Sequence, residues 1–137
     1  KGKLIYYLYG FKTKKIFDGT LIDGKAEGHG RYVLRDGTVL QGNFKDGSFY
    51  EGTRTEKSRK DTYIYKGKFK DNQITGTGEL VVTDSYIYKG EFLNGFRTKG
   101  IEKYQNGEYF EGEFENDYYL KGKFVSEIDD FVIESDN

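Results

Sequence analysis

The chain contains no cysteine, no proline and no tryptophan, and it has a single histidine, His29. Without cysteine there is no disulfide framework, no thiolate nucleophile and no cysteine metal site, a composition that fits a reducing compartment. Without proline nothing interrupts a strand ladder, and a loop-rich or linker-like chain is disfavoured. Long hydrophobic runs are missing too: no stretch approaches the length of a membrane span, and no signal-peptide pattern opens the sequence. The first residue is lysine rather than methionine, so the expectation is a fragment or a trimmed chain, from which a targeting segment could have been lost. Charge of one sign is also lacking. A net charge of −1 leaves no overall field to draw the protein onto nucleic acid or membrane.

What remains is enough for one domain in 137 residues. Hydrophobic content of 35% beside 33% charged residues would suit a disordered chain. The 13 tyrosines and 11 phenylalanines argue otherwise, because they recur in register and concentrate the apolar area in large rings. Charge is uneven: Lys1, Lys3, Lys12, Lys14 and Lys15 make residues 1–15 wholly basic. Glu127, Asp129, Asp130, Glu134 and Asp136 make the C-terminal stretch 125–137 wholly acidic.

The recurring unit is a large residue two positions before a glycine and another two positions after it. It reads Phe17-Gly19-Leu21, Leu40-Gly42-Phe44, Tyr65-Gly67-Phe69, Tyr88-Gly90-Phe92, Phe110-Gly112-Phe114 and Leu120-Gly122-Phe124. Alternate residues of a strand share a face, so each copy sets large, small and large side by side, with polar residues such as Lys89 and Glu91 behind. Successive central glycines from Gly19 to Gly112 are 23, 25, 23 and 22 residues apart, the period of a repeat architecture. Asp23-Gly24, Asp46-Gly47, Asp71-Asn72 and Asn94-Gly95 supply the tight corners between paired strands. Second strands carry Tyr32 and Leu34, or Leu80 and Val82, and Asp36-Gly37 or Asn106-Gly107 leads into the next copy.

At these motifs the chain resembles the MORN (membrane occupation and recognition nexus) repeat family, whose pattern is aromatic-x-Gly-x-aromatic, an Asn-Gly corner, then Gly-x-Gly. Tyr88-Lys-Gly-Glu-Phe92 with Asn94-Gly95, and Phe17-Asp-Gly-Thr-Leu21 with Gly28-His-Gly30, carry the resemblance, which covers residues 16–124. It implies an all-β fold, an elongated, open, single-layer array of antiparallel β-hairpins without catalytic machinery or cofactor. It also implies work in scaffolding, in targeting to membrane or cytoskeleton from the cytoplasm, or as the appendage of a larger enzyme.

The copies depart from the pattern in places. Around Gly42 the paired glycines shrink to Gly52 alone, and residues 53–62 are longer, with Arg54 and Glu56 at apolar positions; this hairpin is expected to project from the sheet. Glu102 replaces the aromatic seen at Tyr32. Leu4, Tyr6 and Leu8 alternate and predict a strand that begins the sheet within the basic residues 1–15. The acidic residues 125–137 read as a cap, since an array must close its ends. Ser126-Glu-Ile-Asp129 resembles a helix-starting box, and a final strand through Phe131-Val132-Ile133 is the alternative.

Candidate chemistry is sparse. His29 lies between two glycines with no partners for a triad or a metal site. Gly24-Lys-Ala-Glu-Gly-His-Gly30 lacks the strand-to-helix context of a phosphate loop, and Glu111 and Glu113 belong to a solvated strand face rather than a glycosidase cleft. Two surfaces remain as binding candidates. One is the aromatic face (Tyr65, Phe69, Tyr88, Phe92, Phe110 and Phe114), whose rings either pack on one another or receive a helix or extended peptide of a protein partner. The other is the basic cluster of Arg54, Lys57, Arg59 and Lys60, suited to anionic lipid or an acidic partner. A sugar-binding array is disfavoured by the absence of tryptophan, and nucleic acid by the charge balance. Self-association through exposed edges or aromatic faces is also expected.

Overall fold

The computed structural model describes the backbone of residues 4–10 and 13–126 and the side chains of residues 16–126. Eleven strands run in chain order: β1 (Leu4–Gly10), β2 (Thr13–Ile22), β3 (Lys25–Val33), β4 (Val39–Lys45), β5 (Ser48–Lys57), β6 (Thr62–Lys70), β7 (Gln73–Val82), β8 (Tyr86–Leu93), β9 (Phe96–Tyr104), β10 (Tyr109–Glu115) and β11 (Tyr118–Val125). They form one open sheet in which each strand pairs antiparallel with its sequence neighbours. The expected array of hairpins is therefore the fold, and no helix occurs among the described residues. The expected cap, helix or strand, lies outside the described residues.

Register turns the sequence repeat into rows that run across the sheet. One row is Phe17, Tyr32, Leu40, Arg54, Tyr65, Leu80, Tyr88, Glu102, Phe110 and Phe124. Beside it runs a row of glycine: Gly19, Gly30, Gly42, Gly52 and Gly67, then Gly78, Gly90, Gly100, Gly112 and Gly122. Every strand from β2 to β11 contributes one. Gly52, the single glycine left in the second copy, is the one that falls in this row. Beyond the glycines a third row holds large residues at the corner ends, in facing pairs such as Phe44 with Phe49 and Phe69 with Ile74.

This arrangement explains how a single-layer sheet buries rings. Phe17 and Tyr88 are essentially without solvent contact, because each ring lies flat over two glycines of adjacent strands. A Cβ at Gly19 or Gly30 would stand 2.7 or 2.8 Å from the Phe17 ring. Each ring so covered contributes roughly 1.5–3 kcal/mol, which offsets the backbone entropy that glycine loses in a strand.

The corners repeat one geometry. Asp23-Gly24, Asp46-Gly47, Asp71-Asn72, Asn94-Gly95 and Asn116-Asp117 all have positive φ at both residues, the type I′ turn that matches strand twist. They stack along one margin of the sheet: the Gly47 amide donates to the Ala26 carbonyl (3.0 Å) and the Gly95 amide to the Ile74 carbonyl (2.9 Å).

Two expectations are corrected. The hairpin of residues 53–62 does not leave the sheet: β5 stays paired with β6 from Glu51 to Lys57, and Arg54 takes its place between Leu40 and Tyr65. Only Ser58–Asp61 stand clear, because an arginine whose charge is met can occupy a ring position. The last triplet fails as well. A register shift after Glu113 sets Tyr119, not Leu120, opposite Phe114, and Leu120 is exposed.

Candidate functional site

The six aromatics expected to face a partner are brought together on one face of the sheet. Phe69, Tyr88, Phe92, Phe110 and Phe114 are buried, and Tyr65 is half-buried against them. The rings cover one another. Centroids are 4.9 Å apart for Phe49 and Phe69, 5.2 Å for Tyr88 and Phe92, and 5.4 Å for both Tyr88–Phe114 and Phe110–Phe114, tilted or edge-on contacts worth about 0.5–1.5 kcal/mol each beyond area. The Tyr88 hydroxyl donates to the Glu91 carbonyl at 2.8 Å. Accessible surface on this face is left to its rim, where Tyr63, Tyr65 and Tyr86 are half-buried around a hollow of about 230 Å³ floored by Arg97.

Arg97 is the residue the sequence reading missed. It occupies the third row, two positions after its corner, where the other copies place Ala26, Phe49, Ile74 and Tyr119. Both Arg97 and Glu102 are buried, and they form an ion pair through Nη1 and Oε1. Arg97 Nε and Nη2 reach Asp117 Oδ1 and its carbonyl, each at 3.3 Å. The hydroxyls of Tyr104 and Tyr119 donate to Glu102 Oε2. The guanidinium also stacks 4.5 Å from the Phe114 centroid and 5.3 Å from that of Tyr86. The signal was present: one repeat carries a cation and an anion in two columns that are mostly apolar elsewhere.

Burial raises the hydroxyl pKa of Tyr86 and Tyr88 to about 12. Burial is also the leading cause of the upward shifts at Tyr65, Tyr104 and Tyr119. The folded chain thus keeps protons that the unfolded chain releases from about pH 10, so stability is full below that pH and is lost as pH rises through about 12. The urea midpoint is expected to be level from pH 8 to 9 and to fall steadily above about pH 10. A midpoint level across the whole range would refute this.

The structure separates the four bases of the second candidate. Arg54 pairs with Glu56 at 2.6 Å and donates to the Asn72 carbonyl, spending its charge within the sheet. Lys57, Arg59 and Lys60 are exposed at the β5–β6 tip, next to Asp61. His29 is exposed on the opposite face.

That opposite face holds a further surface the sequence reading passed over. The residues beside each ring position form a mostly β-branched row: Ile16, Val33, Val39, Thr55, Ile64, Val81 and Ile87, then Lys103, Tyr109 and Val125. At β7–β9 this row opens into an apolar hollow of about 520 Å³ walled by Val81, Tyr86, Ile87, Ile101 and Tyr104, with Lys89 and Lys103 among its lining. The recurrence of Ile, Val or Tyr immediately before each triplet was the available signal.

A single-layer sheet of stacked two-strand units with a glycine row defines a hairpin repeat protein. The MORN repeat family model matches the chain at three segments, residues 17–39, 65–82 and 88–109. Residues 40–64 and 110–126, outside the matches, continue the same register. MORN repeats form scaffold or membrane-binding modules and are generally non-catalytic. No curated protein matches the chain. No helix of the described residues is long and apolar enough to cross a membrane.

Proposed function

We propose that this chain is a non-catalytic scaffold module that binds a protein partner, in the cytoplasm, at a membrane or cytoskeletal site. The aromatic face contributes its rim of Tyr63, Tyr65 and Tyr86, since its central rings are covered by one another. The observation that carries the reading is the apolar hollow at β7–β9, which adjoins Tyr86 and leaves Ile87 and Ile101 exposed. Clustered exposed aliphatics on an otherwise charged surface favour a docking partner, here a helix or extended peptide with apolar residues and a carboxylate to meet Lys89 and Lys103. Anionic lipid is the second reading, favoured by Lys57, Arg59 and Lys60 at the β5–β6 tip. At about 1 kcal/mol per basic residue, three cations beside Asp61 hold a membrane weakly.

A photo-crosslinking side chain at Ile87 is expected to capture a discrete protein in cells, and the same group at Lys45 none. The purified chain is expected not to float with anionic vesicles at physiological salt. Flotation there, abolished by alanine at Lys57, Arg59 and Lys60 and unaccompanied by an Ile87 adduct, would replace the protein partner with a membrane.

A further inference from the structure

The hollow between Tyr63, Tyr65 and Tyr86 lies on the ring face, and its chemistry differs from that of the back-face hollow. It exists because β7 sets smaller residues between two tyrosine-bearing strands. Register places Val82 between Tyr63 and Tyr86, and Leu80 opposite Tyr65. Val82 and Leu80 are buried while the three tyrosines are only half-buried, so the rings wall a recess over Leu80, Phe92 and Arg97. Its volume of about 230 Å³ is several times the ~30 Å³ share of one water molecule. It is smaller than the roughly 300–1,000 Å³ of sites for drug-sized ligands. A recess of that size takes the tip of one side chain, not a helix.

Charge decides the sign of what enters. Arg97 is already engaged: Nη1 pairs with Glu102, while Nε and Nη2 reach Asp117. One guanidinium thus stands against two carboxylates, and these three groups together are negative. The Asp117 carboxylate lines the hollow and its side chain is more than half exposed. Behind burial, Asp117 is among the causes that raise the hydroxyl pKa of both Tyr65 and Tyr86. Its field therefore reaches two of the three walls, and both phenols stay protonated at neutral pH. An anion is repelled here, whereas ring faces attract a cation. Neighbouring rings already hold one, since the Arg97 guanidinium lies 5.3 Å from the Tyr86 centroid and 5.5 Å from that of Tyr88.

The walls also select the kind of cation. A primary ammonium is strongly hydrated and brings three donors that need acceptors, and three ring faces with one carboxylate serve them poorly. A trimethylated ammonium has no donor to satisfy, sheds its weaker hydration readily and presents methyl groups to the rings. Leu80 and Phe92 suit the aliphatic stem of a lysine behind it. A choline head group would instead bring a phosphate close to Asp117, and like charges repel.

We propose that the hollow of Tyr63, Tyr65 and Tyr86 is a cage for a trimethylated lysine of a protein partner, with Asp117 as its counter-charge. The site rests on the reading of the chain as a protein-binding module and extends it to the face opposite Ile87.

The full chain is titrated with N-acetyl-trimethyllysine amide, with the corresponding lysine amide, and with the neutral analogue that has carbon in place of the charged nitrogen. Amide NMR shifts around the hollow report binding. The trimethyllysine compound is expected to bind saturably and roughly tenfold tighter than either of the others. Equal binding of the neutral analogue would overturn the proposal, reducing the hollow to an apolar recess. So would the lack of a saturable shift, even where Ile87 captures a partner. Trimethyllysine binding without an Ile87 adduct would leave the cage standing and remove the back-face docking site. Asp117→Asn keeps an acceptor for Arg97 at a corner whose positive φ asparagine also adopts. It is expected to cut the preference for trimethyllysine over the neutral analogue about threefold, and Tyr63→Leu to cut it further. A preference unmoved in both variants would overturn the proposal. Shifts at the hollow produced by phosphatidylcholine vesicles and not by trimethyllysine would overturn it in favour of a membrane.

Discussion

Gly42→Ala is expected to destabilise the protein by roughly 3 kcal/mol or more, against about 1 kcal/mol for Gly107→Ala. Gly42 sits in the glycine row at φ +150, and a Cβ there would lie 2.7 Å from the Gly52 Cα and press directly on the Glu51 carbonyl oxygen. Both obstacles are backbone, so relief requires β4 and β5 to part. Gly107 also has positive φ, at +92, but a Cβ there meets nothing within 4 Å. That substitution carries the left-handed penalty alone. Urea unfolding followed by circular dichroism separates the two. Equal losses would mean that close strand approach is not what the glycine row provides. In an array each repeat contacts only its neighbours, so the Gly42 variant is also expected to unfold in two steps, β6–β11 outlasting the first strands.

The second large effect concerns the ion pair. Glu102→Leu alone leaves the Arg97 guanidinium buried without its main counter-charge and is expected to cost about 3–5 kcal/mol. The chain itself supplies the apolar alternative: in the preceding repeat the equivalent positions hold Ile74 and Leu80, both buried. Arg97→Ile with Glu102→Leu should therefore recover most or all of the loss, since well-packed hydrophobic replacements of buried pairs are often neutral or stabilising by about 1–4 kcal/mol. Asp117 loses a partner in the double variant, but its side chain is more than half exposed and water can replace the guanidinium. Thermal unfolding of the two singles and the double forms the cycle. A double variant no better than Glu102→Leu would show that Arg97 stabilises through its contacts with Asp117 and the rings instead.

How much was legible beforehand follows from the range of each interaction. The hairpin array could be read from sequence because large-small-large at alternate positions is a local pattern with one physical solution, and repetition removed the ambiguity of a single copy. The slip at Tyr119 could not, because it depends on a bulge in the β10–β11 ladder rather than on residue type. Arg97 was hidden for a related reason. An arginine two residues past a corner reads as solvent-exposed until Asp117, 20 residues later, is folded against it. Arg54 shows the same limit in reverse: grouped by sequence with Lys57, Arg59 and Lys60, it is drawn out of that group by Glu56 and the Asn72 carbonyl. The six rings share one face, but the extent to which they cover one another is a property of the glycine row, visible only once ten glycines align.

The two margins of the sheet differ in what they permit. Along the corner margin every connection is a two-residue turn, and the Gly47 and Gly95 amides tie two of these turns to the preceding unit. Along the other margin the connections run through residues 34–38, 58–61, 83–85 and 105–108, and the unequal repeat lengths are absorbed largely there. One side of this protein is thus a fixed spine and the other an editable fringe. Foreign sequence grafted between β7 and β8 would leave the spine untouched, so the module offers a ruler on which several unrelated segments could be displayed at set intervals.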